Sequence, residues 1–109
     1  MILGFNHITL SVPSLEEARN FYCTLLGLEE VATMSWEAGS KTSRVAHQIM
    51  GVEGTAAHAA HFRAANLILE VFQFTAGNAR RQDPEQPLVD HGITHLCLAV
   101  TSLDEEYQR

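Results

Sequence analysis

The strongest constraint on this chain is an internal repeat. Gly4 to Glu17 aligns with Gly92 to Glu105 at a constant offset of 88 positions, with identities at Gly4/Gly92, His7/His95, Leu10/Leu98, Val12/Val100, Ser14/Ser102, Leu15/Leu103 and Glu17/Glu105. Most remaining pairs are conservative, so the copies are read as two starts of one structural unit. Each copy has alternating apolar and polar residues followed by Ser-x-x-Glu, the pattern of a strand leading into a capped helix. In a capping box the Ser and Glu side chains each satisfy the other residue's free backbone N–H.

The first copy continues far enough to read a whole unit. Leu15, Ala18, Phe21, Tyr22, Leu25 and Leu26 form an apolar stripe at helical spacing, and Gly27 can end that helix in the left-handed conformation. Glu29 to Glu37 reads as a strand, Gly39 to Arg44 as a polar loop, and Val45 to Met50 as a short helical turn stopped by Gly51. Ala56 to Arg63 and Leu67 to Phe74 read as two strands joined by a tight turn near Ala65 and Asn66. The order is βαβββ. Residues 1–74 are therefore expected to form the first module, residues 75–91, rich in turn formers, the linker, and residues 92–109 the start of a second module. The second copy stops at Arg109, inside its own helix. On the repeat's logic its remaining three strands are absent, which leaves an open sheet edge and favours a homodimer.

Composition narrows the function classes. Thirteen acidic against seven basic residues give a net charge of −6, with no basic cluster longer than Arg80-Arg81, so a nucleic-acid partner is not expected. No apolar run approaches the roughly 20 residues that span a bilayer, so no membrane partner is expected, and no secretory leader is recognisable. Cys23 and Cys97 fall in an apolar helix and an apolar strand pattern, as reduced buried thiols do, and the expected setting is cytoplasmic.

The repeat also selects the candidate chemistry. His7 and His95 occupy equivalent strand positions, and His7 shares its face with Phe5, Thr9 and Ser11 while Ile8, Leu10 and Val12 face the helix. Modules related by an approximate two-fold would place the two imidazoles across one cavity, where neutral ring nitrogens can bind a divalent metal. Glu70, the single acid in the run Leu67 to Phe74, is the third candidate ligand, since a carboxylate in a half-buried strand needs a partner. A two-residue turn at Ala65-Asn66 would set His61 directly opposite Glu70, within reach of a hydrogen bond to it. Trp36 and Phe72 are candidate pocket walls as well as core residues. Cys97 is read as a small filler beside the cavity, and His47, His58 and His91 as surface or loop residues.

Asn6 to Val12, the helix with Phe21-Tyr22 and Leu25-Leu26-Gly27-Leu28, Leu69 to Phe72 and Gly92 to Leu96 together resemble the vicinal oxygen chelate superfamily. That group includes glyoxalase I, methylmalonyl-CoA epimerase, extradiol dioxygenases, and fosfomycin and bleomycin resistance proteins. The resemblance covers essentially the whole chain and implies an α+β fold of paired βαβββ modules forming a cupped mixed sheet. It implies ligands on the first and last strands of each module, here His7 and Glu70 from the first and His95 from the second; the family's fourth ligand, a Glu on the final strand, has no counterpart. Glu70 tilts the resemblance toward the glyoxalase and epimerase branch. It implies a lyase or isomerase holding one divalent metal (Zn, Ni, Co, Mn or Fe) that stabilises an enediolate from a small molecule with adjacent oxygens, with Glu70 in the catalytic role. The resemblance also admits a binding module like the bleomycin resistance proteins, using an apolar cup without catalysis, or extradiol-type dioxygenase chemistry.

Overall fold

A computed structural model describes all residues from 1 to 109. The first element, β1 (His7–Ser11), leads through Val12 and Pro13 to α1 (Leu15–Arg19), which passes directly into a π-helical turn (Asn20–Leu25). Next come β2 (Glu29–Trp36), α2 (Lys41–Met50), β3 (Ala56–Arg63) and β4 (Ile68–Ala76). The last element is a short α3 (Leu103–Gln108). The strands form one mixed sheet in the order β1-β4-β3-β2, with β1 parallel to β4 and the other neighbours antiparallel. The βαβββ order read from the sequence is the order observed.

The sheet's two faces carry separate cores. On the helix side, Ala60, Phe62, Leu69 and Val71 pack with Leu15 and Ala18 of α1, with Leu10, Val12, Tyr22, Cys23 and Leu28 around them. On the opposite face, Trp36, Ala57, Ala59 and Phe72 pack together, with Ala46 and Met50 of α2 and Phe74 against them. The strand alternation explains this division: Leu69 and Val71 point to one side, Glu70 and Phe72 to the other. Phe62 and Val71 are completely buried, so truncating Phe62 to Ala would cost about 3–5 kcal/mol.

Ser14 Oγ accepts from Glu17 N at 3.2 Å, and Ser102 Oγ from Glu105 N at 3.3 Å. The two caps share nearly the same backbone, φ −144° with ψ 118° or 111°, so the repeat is conformational as well as sequential. Only the Ser half of each capping box forms. Gln73 Oε1 on β4 also accepts from Leu15 N at 2.8 Å, which ties the start of α1 to the sheet.

Three expectations need correction. The stripe Leu15 to Leu26 assumed a period of 3.6 residues, but Leu26 N donates to Phe21 O, five residues back, at 3.0 Å. This wider turn keeps Tyr22 and Cys23 against the core and leaves Phe21 and Leu25 about half exposed. The second helix begins earlier than Val45: Ser40 caps it by accepting from Ser43 N at 3.0 Å, so most of the expected Gly39 to Arg44 loop is helical. Residues 93–100 form no strand, because a strand requires a hydrogen-bonding neighbour and the β1–β4 pairing is complete within the first unit. No helix is long and apolar enough to cross a membrane.

Candidate functional site

On the face away from α1, a cavity of about 470 Å³ opens between the sheet and α2. Trp36, Phe72 and Met34 provide its sheet wall, Val45, Ala46, Ile49 and Met50 its helix wall, and His7, Thr9, Thr42 and Glu70 its polar lining. Trp36 and Phe72 meet edge-to-face with centroids 5.6 Å apart, and both are at least nine-tenths buried. They serve as pocket wall and core at once.

A buried hydrogen-bonded joint holds the wall helix. Ser43 Oγ donates to the Thr55 carbonyl at 2.9 Å, and Trp36 Nε1 donates to Thr55 Oγ1 at 3.2 Å. Thr55 thus links α2, the end of β2 and the approach to β3. Gly77 lies against it: its φ is +114°, and a Cβ there would come within 3.2 Å of Thr55 Cγ2.

Glu70 is fixed from both sides by register. Parallel pairing sets Thr9 beside it, and Thr9 Oγ1 donates to Glu70 Oε2 at 2.6 Å. Antiparallel pairing sets His61 opposite, as the hairpin reading requires, with its Nε2 2.8 Å from Oε1. His7 Nε2 lies 3.8 Å from Oε2. Burial alone opposes ionisation of Glu70, but the bonds from Thr9 and His61, reinforced by the His61 and His7 charges, outweigh it and hold the pKa below its ordinary value.

His7, Glu70 and His61 therefore come together, while His95 does not join them. It is exposed in the irregular segment after Gly92, and its ring bonds its neighbour Thr94 at 2.9 Å. Cys97, expected as a buried filler, is exposed and lines a separate apolar groove with Leu25, Leu28 and Leu67. His47, His58 and His91 are exposed as expected, though His58 lies within β3. No group of three His, Cys, Asp or Glu side chains is placed to hold a divalent metal, with His95 lying apart from His7 and Glu70. The donors present do not fit a complete metal centre.

Sequence reasoning missed Thr9 as a partner of Glu70, although its place on the His7 face was readable. It also missed α2 as a pocket wall. The signal was present as Val45, Ala46, Ile49 and Met50, apolar at helical spacing but assigned to too short an element.

A family model described as the Glyoxalase/Bleomycin resistance protein/Dioxygenase superfamily matches residues 4–109. Among solved structures, the chain superposes on a glyoxalase family protein from Bacillus cereus with a TM-score of 0.82 at 17% identity, covering 99% of this chain and 70% of that one. It superposes on SMU.1112c with a TM-score of 0.68 at 18% identity, covering 99% and 72%. At such identities these likenesses show a shared fold alone. No curated protein matches the chain.

Proposed function

The chain belongs to the Glyoxalase/Bleomycin resistance protein/Dioxygenase superfamily, and we propose that it acts there as a small-molecule-binding module whose ligand occupies the cup between α2 and the Trp36 face of the sheet. Members of this superfamily bind small molecules, often dimerise and commonly use a divalent metal. One observation carries the proposal: a cavity of about 470 Å³ with aromatic and aliphatic walls and His7, Thr9 and Glu70 in its lining. Ligand pockets typically span about 300–1,000 Å³ and combine apolar walls with a few fixed polar groups. The binding reading uses only residues that the fold has already brought together.

A second reading, a metal-dependent lyase or isomerase using His7, Glu70 and His95, is favoured by the 3.8 Å approach of His7 to Glu70. It requires His95 from a second copy or from a different placement of residues 92–100. The division into a first module at 1–74, a linker at 75–91 and the start of a second module at 92–109 belongs to the same proposal, supported by both core clusters lying within the first part. Homodimerisation and a cytoplasmic setting are also proposed, the latter supported by the free thiols of Cys23 and Cys97.

Calorimetric titration with naphthylmethanol, a neutral aromatic probe, tests the reading. Saturable binding at about one probe per chain is expected, and Ala46→Phe, which fills the cup from α2, should abolish it while leaving the circular dichroism unchanged. Elemental analysis of protein purified without chelator decides between the readings. About one divalent metal per chain, lost in His7→Ala or Glu70→Gln, establishes the metalloenzyme reading instead.

A further inference from the structure

We propose that the cup selects a ligand bearing a cationic nitrogen, an amine or guanidine on an apolar body, with Glu70 as its counter-ion. The inference deepens the binding reading above and rests on it. Glu70 is the only acidic residue lining the cavity, and no Lys or Arg lines it. Of the Lys and Arg residues on the wall helix α2, Arg44 donates to the Gly39 carbonyl at 2.8 Å, and Lys41 lies outside the lining. A phosphate or carboxylate entering the cup would meet the Glu70 carboxylate with no Lys or Arg in the lining to offset it, so phosphorylated and acidic ligands are disfavoured.

The geometry of Glu70 suits recognition of a donor. Its side chain is 14% exposed, and each of its oxygens accepts one bond, from Thr9 or from His61. A carboxylate offers about four lone-pair sites, so each oxygen keeps acceptor capacity for a ligand N–H. Thr9 and His61 fix the direction of that capacity before a ligand arrives, which lowers the ordering cost of binding. Trp36 and Phe72 line the same cavity, and aromatic rings attract an ammonium or guanidinium within about 6 Å of their centroids. A carboxylate beside aromatic walls is a pairing that recognises organic cations by two independent attractions.

The test compares naphthylmethylamine, naphthylmethanol and naphthylacetate by calorimetry at about pH 8, above the ordinary histidine pKa of roughly 6.5. Wild-type protein should bind the amine about tenfold more tightly than the alcohol, and the acetate more weakly than either. Glu70→Gln should bring the amine to within about twofold of the alcohol measured in the same variant. Added salt should weaken the amine alone in wild-type protein, a readout available even where the variant does not fold. An amine bound no more tightly than the alcohol, or a preference that survives in folded Glu70→Gln, overturns the proposal while the cup reading stands. Failure of all three probes to bind overturns the cup reading itself. Stoichiometric metal lost in Glu70→Gln overturns the counter-ion role directly.

Discussion

Three neighbours decide what the Glu70 carboxylate does. Burial pushes its pKa up, whereas the Thr9 and His61 hydrogen bonds with the His61 and His7 charges push it down, and the downward effects prevail. A carboxylate whose folded pKa lies below its unfolded value adds stability that is present above the unfolded pKa and disappears as pH falls through the folded one. The double substitution Thr9→Val with His61→Phe removes both bonds and leaves burial opposed only by His7. The Glu70 pKa should then rise above 4.5, its ordinary value, as read by carbon-detected NMR titration of the side-chain carboxyl. The pH dependence of stability should reverse with it: wild-type protein loses the Glu70 contribution as pH falls from about 4.5 through the lowered folded pKa, whereas the double variant gains stability as pH falls from its raised folded pKa toward about 4.5. A pKa that stays depressed in the double variant would mean that His7 alone holds the charge.

At the scale of elements, Thr55 is the joint on which the pocket wall depends. Thr55→Val preserves shape but deprives the buried Trp36 Nε1–H of its acceptor, while the Ser43 bond to the backbone carbonyl remains. Leaving a buried donor unpaired costs about 1–3 kcal/mol, which for a domain of this size lowers Tm by roughly 4–8 °C per kcal/mol. Thermal unfolding monitored at Trp36 checks this, and an unchanged Tm would show that Trp36 finds water instead. Thr55 also shows what a sequence conceals. A threonine ahead of a strand carries no signal for a bond to a tryptophan 19 residues earlier, because that contact exists only after α2 folds back. Local patterns were readable: the alternation of β1, the Ser14 and Ser102 caps, and the hairpin register that sets His61 opposite Glu70. The π-helical turn was not, since one extra residue per turn is selected by how Tyr22 and Cys23 pack on the sheet. The strand expected at residues 92–100 had the right alternation, but alternation cannot supply a hydrogen-bonding neighbour, and without one the segment stays irregular and His95 stays away from Glu70.

Over the whole molecule, apolar burial is distributed unevenly. Both core clusters and the residues packed on them lie between Leu10 and Phe74, whereas Ile93, Leu96, Leu98, Val100 and Leu103 remain between 45% and 75% exposed. Burying such side chains typically gains about 1.5–3 kcal/mol each, so a contiguous segment that carries five of them, on a sheet whose edges β1 and β2 are unpaired, provides a strong drive for association. The whole chain should therefore run as a homodimer by light scattering coupled to size exclusion. A chain cut after Asn78 keeps Gly77 against Thr55, all four strands and both cores, so it should retain the sheet's circular dichroism and unfold cooperatively. Cutting there removes the exposed segment, and the product should be monomeric. If the shortened chain remains dimeric, the contact lies on the first unit, with the half-exposed Phe21 and Leu25 as the surface to alter next. If it fails to fold, residues 79–109 contribute to the stability of the first unit through contacts weaker than its cores suggest. A folded monomer establishes that residues 1–78 are an autonomous unit and that the repeat's second copy serves assembly.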